Sequence, residues 1–153
     1  MRRLVMVAKA GNWPDSDDVD SITLSFDDRH RRRLRLTTEA GESVLLDLTK
    51  PQPLDDGDGL ALENDEGWIR IKAAPEDVLD VKEQDLSKTI RLAWNLGNRH
   101  LPIQIVDEAH LRLRYDHVIE EMLTSFGVSV VREKAPFIPE SRIFIRPNRS
   151  PPR

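Results

Sequence analysis

The sequence predicts an α+β protein: a small all-β domain over residues 1–74 followed by a ferredoxin-like β-α-β-β-α-β domain over 75–139, with a basic tail over 140–153. Three observations carry this expectation. Apolar residues recur with period two up to Ala74, the pattern of half-buried strands. The string "AAPED" then breaks that pattern, with Pro75 as a credible boundary or linker. Beyond it, two stretches with helical spacing alternate with four short strand-like runs, the order of the ferredoxin-like motif.

The first-half strands are read in order from Leu4-Val5-Met6-Val7, then Ile22, Leu24 and Phe26, then Leu34 and Leu36. Val44, Leu46 and Leu48 follow, then Leu60 and Leu62, then Ile69 and Ile71. Turns fall at "EAGES", "DDGDG" and "DEGW", where glycine supplies positive φ. In the second half Val78, Leu79 and Val81 suggest a strand, and Asp85 is the N-cap of a helix whose apolar face is Leu86, Ile90, Ala93, Trp94 and Gly97. Gly97 is read as the stop of that helix. Leu101, Ile103 and Ile105 alternate as a second strand, "DEAH" is a turn, and Leu111, Leu113 and Tyr115 form a third strand. Asp116 caps a second helix bearing Val118, Ile119, Met122, Leu123 and Phe126, which Gly127 ends before a last strand from Val128 to Arg132. The tail from Glu140, rich in Pro and Arg, is expected to be solvated and mobile.

Composition narrows the function classes. The net charge is −4, and residues 1–74 hold 11 basic and 15 acidic side chains against 12 of each afterwards, so the acidity belongs to the first domain. This does not describe a nucleic-acid binder. The run "RHRRRLR" from Arg29 to Arg35 reads as the solvated face of a strand, with Leu34 and Leu36 turned inward. The near absence of aromatics from the second-half strands argues against an RNA-recognition sheet. No apolar run suffices to span a bilayer and the N-terminal apolar stretch is short for a signal peptide, so no membrane partner and a cytoplasmic location are expected. With no cysteine, thiolate metal sites and thiol nucleophiles are excluded, and any metal must be held by nitrogen and oxygen.

The acidic turns lack the ligand spacing of a calcium loop, and Ser125 and Ser129, although near His117 along the chain, lack a nucleophile elbow. That leaves His100, His110 and His117, which fall within eighteen residues. Imidazole is a common ligand for nickel, copper and zinc. Spacing alone leaves the bland readings open: His110 as a turn residue, His117 in the first turn of a helix, His100 in a joint between helix and strand.

"AWNLGNRHLPIQI" followed by "LRYDHVIEEMLTSFGVSV" resembles the urease accessory protein of the UreE family, and "RRRLRLTTEAGESVLLDL" with "LDDGDGLALENDEGWIRIKAAPEDVL" extends the resemblance over nearly the whole chain. The resemblance implies a cytoplasmic nickel metallochaperone, not an enzyme. Its β domain would be similar to the peptide-binding domain of heat-shock co-chaperones, and its ferredoxin-like domain would form a homodimer. It implies that His100, from "GNRH", is a metal ligand shared with its symmetry mate, and that His117, from "YDHV", is an additional ligand. Ni²⁺ would pass to the urease apoprotein complex through its GTPase component, with Zn²⁺ or Cu²⁺ as competitors. The tail lacks the His-rich tract of many relatives, which implies few ions per dimer. The alternative is a peptide- or protein-binding adaptor with incidental metal binding.

Overall fold

A computed structural model describes residues 1–140; of the tail expected to be mobile over 140–153, Glu140 is held by its N–H on the Ile103 carbonyl at 2.8 Å and the remainder lies outside the described residues. The first part is a six-stranded sheet made of β1 (Arg2–Ala8), β2 (Ser21–Leu24), β3 (Arg33–Thr37), β4 (Ser43–Asp47), β5 (Gly59–Leu62) and β6 (Trp68–Ala73), in the order β2-β6-β5-β1-β4-β3. β1 runs parallel to β4, and β2 parallel to β6; the remaining pairs are antiparallel. The inward positions of the period-two pattern, among them Leu4, Ile22, Val44, Leu46, Leu60 and Ile71, form one buried cluster. Removing such side chains from water is the main favourable term in folding the domain.

Gly41, Gly57 and Gly67 take positive φ in the expected turns, but Gly59 does not. It opens β5 because Trp13 lies across it: a Cβ there would come within 2.6 Å of the Trp13 Cγ. Trp13 donates Nε1–H to the Gly57 carbonyl at 3.0 Å and stacks on Trp68 with ring centroids 5.9 Å apart. Gly59→Ala is therefore expected to displace the Trp13 ring, costing about 2 kcal/mol by overpacking. Tryptophan fluorescence shifted to the red and a lower denaturant midpoint would report it.

The second part is β7 (Pro75–Lys82), α1 (Leu86–Asn98), β8 (Gln104–Asp107), β9 (His110–Arg114), α2 (His117–Phe126) and β10 (Ser129–Pro136). Its antiparallel sheet has the order β10-β7-β9-β8, which is the ferredoxin-like arrangement. The fold class is thus α+β. Leu79, Val81, Leu111 and Leu113 meet Leu92, Leu96 and Leu123 of the two helices in a second buried cluster. Ala74 alone separates the two sheets, and its N–H bonds back to the Leu24 carbonyl at 2.8 Å, so no slack linker intervenes at Pro75.

Several strand boundaries differ from expectation: β2 ends at Leu24, short of Phe26, β4 ends at Asp47, short of Leu48, and β10 runs Ser129–Pro136 instead of Val128 to Arg132. β8 begins at Gln104, leaving Leu101 and Ile103 outside it, because the chain leaving α1 and Pro102 must first turn. β9 begins at His110 and ends before Tyr115. Among the described residues no helix is long and apolar enough to cross a membrane.

Candidate metal site

Asp85 caps α1 by accepting the Lys88 N–H at 3.3 Å, as its position predicts. The other end departs from expectation. Gly97 lies inside the helix without positive φ, and the left-handed residue is His100, at φ 59°. The His100 N–H bonds to the Gly97 carbonyl at 3.0 Å and the Leu101 N–H reaches back to the Leu96 carbonyl at 3.3 Å. This double bond pattern is the Schellman closure, with His100 where glycine normally sits. A non-glycine residue there costs about 1 kcal/mol. Strain of this kind is retained where a side chain is needed, so the exposed His100 is a functional candidate on backbone grounds alone.

His117 is the first residue of α2, exposed, just after its N-cap Asp116, whose carboxylate accepts from the Val118 and Ile119 N–H groups at 2.8 and 3.2 Å. Between the end of α1 and the start of α2 lies a cleft of about 370 Å³, lined by Leu101, Pro102, Leu113, Arg114, Tyr115, Asp116 and Ile119. His100 and His117 each adjoin one lining residue in sequence. Among the described residues, no three His, Cys, Asp or Glu side chains come together as a group able to hold a metal ion. The described residues thus offer imidazoles at the surface without a closed ligand set.

His110 is not a turn residue. It opens β9 with Nε2 3.2 Å from Asp80 Oδ1. Asp80 is fully buried at the centre of β7, directly opposite Arg112 on β9, which clamps it through Nε at 2.7 Å and Nη2 at 3.2 Å. Burial by itself would push the Asp80 carboxyl up; hydrogen bonds from Arg112 and Glu133 outweigh it and hold the group at about 2. Glu133 is raised in turn by its hydrogen bond to Asp80. This cluster was open to detection, since a lone carboxylate inside "VLDV" is expensive unless paired.

The apolar face read along α1 lies largely outside the core, with Ala93 packed against it. Ile90 and Trp94 are each 68% exposed and Leu86 is exposed with them, while Thr89, Leu92 and Leu96 are buried. Ile90, Arg91, Trp94, Asn95 and Phe126 line an open groove of about 450 Å³ beside that stripe. In the basic run, Arg31, Arg33 and Arg35 are exposed as expected, but Arg29, in the turn Asp28–His30, is only 2% exposed.

Comparison with known families gives two matches in chain order: the N-terminal domain of the UreE urease accessory protein over residues 5–74 and its C-terminal domain over 76–145. The chain is 43% identical over 148 residues to the urease accessory protein UreE of Bradyrhizobium sp. (strain BTAi1), covering 97% of this chain and 70% of that protein. It is 42% identical over 134 residues to that of Ruegeria pomeroyi, covering 88% and 85% respectively. For Rhizobium rhizogenes the identity is 44% over 139 residues, covering 91% and 81%.

Proposed function

The chain belongs to the UreE urease accessory protein family, a chaperone family of urease maturation, and from that premise we propose that it carries Ni²⁺ to the urease activation complex. His100 and the same residue of a second copy would hold the cargo ion, with His117 as an additional ligand. The observation that carries this reading is His100 itself: an exposed imidazole kept in a left-handed position that glycine fills at lower cost.

Sharing follows from the open ligand set. Among the described residues a single chain brings too few donors together, and a twofold axis doubles whatever lies beside it. The uncovered stripe of Leu86, Ile90 and Trp94 supports this, because it runs along the helix whose closure is His100 and is apolar enough to need covering. Two imidazoles leave positions for water or for a recipient's ligands, so the ion is held without being enclosed. Transfer then needs only that the accessory GTPase present further ligands. The recipients would be that GTPase and the urease apoprotein, and the location the cytoplasm. Zn²⁺ and Cu²⁺ compete at any such nitrogen site. Acceptance and release of an ion exchange coordination bonds and make or break no covalent bond of a substrate, so the proposed role is carriage and not catalysis.

The test is nickel titration combined with mass measurement in solution. One tightly bound Ni²⁺ per two chains is expected, with a dimer as the bound species. Trp94→Asp places a charge in the apolar stripe and is expected to yield a monomer that has lost the tight site while keeping its fold by circular dichroism. Tight binding of one ion per monomer by that variant would refute the shared site.

A further inference from the structure

We infer that residues 137–140 form a strap through which Arg29, in the N-terminal domain, acts as a positioning residue for the loop that carries His100. The inference rests on the carrier reading above for its function, but its structural part stands apart from it.

The strap's course follows from the sheet. β10 and β8 lie at opposite edges in the order β10-β7-β9-β8, yet the chain leaving β10 at Pro136 bonds to Gln104, the first residue of β8, and to Ile103 just before it. The Ile138 N–H donates to the Gln104 Oε1 at 2.9 Å and the Glu140 N–H to the Ile103 carbonyl at 2.8 Å. Residues 137–140 therefore cross the sheet, and Arg112 of β9 donates Nη1–H to the Pro136 carbonyl at 3.3 Å where the crossing begins. The far end grips Ile103, three residues from His100.

The near end is held by the other domain. Phe137 is fully buried, its ring 5.2 Å from that of Phe26, and its carbonyl accepts a hydrogen bond from the Arg29 Nη2. Arg29 is itself fixed, since its carbonyl accepts the Leu54 N–H at 2.9 Å. Its Nε is buried without a partner. A guanidinium so buried is a poor choice for stability alone, because an apolar side chain of like volume avoids the desolvation cost. What it supplies that an apolar residue cannot is a directed bond to one carbonyl of the strap.

The strap thus joins the first domain to the residues immediately after the Schellman closure. If it slackens, Ile103 loses its amide partner and the turn from Leu101 to Ile103 gains freedom, so His100 samples more positions before it meets its mate. Nickel affinity falls through lost preorganisation, with every ligand still present.

Amide hydrogen exchange and nickel titration on Arg29→Met and Gln104→Leu in the full chain test this. Arg29→Met removes the near anchor at similar volume, whereas Gln104→Leu cuts the far one from a half-buried position and leaves the interior untouched. In Arg29→Met the Ile138, Glu140 and Leu101 amides are expected to exchange about 10-fold faster, and nickel to bind about 5-fold more weakly. Arg29→Lys, which keeps a donor, is expected to recover most of both. In the Gln104→Leu background the Arg29→Met change should add little further, as steps on one path do. Unchanged exchange at Glu140 and Leu101 in folded Arg29→Met, or in Gln104→Leu should Arg29→Met not fold, would overturn the inference. Faster exchange in a protein whose wild type holds no nickel at His100 would instead remove the carrier reading and leave the strap in place.

Discussion

His100→Gly is expected to weaken nickel binding by more than about 100-fold while leaving the protein at least as stable as the wild type. Losing a residue that merely orients a ligand costs 10- to 100-fold in affinity, and in a twofold dimer this substitution removes both copies of the principal proposed ligand at once. Stability should not fall with it. The position has φ 59°, which glycine adopts freely, and the two closing bonds from the backbone of residues 100 and 101 do not depend on the side chain. His100→Ala provides the control: equal loss of nickel, but about 1 kcal/mol less stable than His100→Gly, because alanine keeps the left-handed strain. Calorimetric nickel titration and denaturant unfolding read the two effects separately. Undiminished nickel affinity in either variant would sink the proposed site.

Asp80→Asn is expected to cost about 3 kcal/mol, since it leaves the largely buried Arg112 guanidinium without its counter-charge. The same pair sets an acid limit. The Asp80 carboxyl is held at about 2 in the folded protein against an ordinary value of 3.8, so its contribution is present above pH 3.8 and is lost as the pH falls through about 2. Glu133, raised by its bond to Asp80, acts in the opposite sense: its contribution is present in acid and fades as the pH rises through its elevated value. Unfolding midpoints measured from neutrality down to strong acid should fall in the wild type within the Asp80 window, and the fall should be shallower in Asp80→Asn. Replacing Asp80 by Leu together with Arg112 by Met should recover most of the loss, because the pair then disappears without an orphan.

Much of this fold can be read from the sequence, and the failures share a cause. Alternation in the first domain names its inward residues because one face of a sheet packs on the core. Asp85, Asp116 and Gly127 are legible because caps act over three or four residues. Helix α1 is different: it is apolar on two sides, and spacing finds the stripe of Leu86, Ile90 and Trp94 without saying whether the core or another chain covers it. Arg29 lies beyond reach for a related reason. It sits in a charge run whose other members are solvated, and only the meeting of two domains buries it. For the proposed site, the family resemblance singled out His100, and the backbone now supplies a reason that spacing lacked. His110 reads as a turn residue in the sequence because its neighbour Asp80 lies thirty positions upstream and meets it only through sheet register.

The pairing of β7 with β10 sets an order of events at the ribosome. Pro75–Lys82 cannot gain its eight-residue neighbour Ser129–Pro136 until residues 83–136 have been translated, so the nascent second domain waits with one side of its first strand unzipped. The six strands before it are complete by Ala73 and can close earlier, except that Phe26 and Arg29 lack their cover until Phe137 emerges. Synthesis therefore finishes both halves with the same few residues, and a premature stop before Phe137 would leave neither one whole.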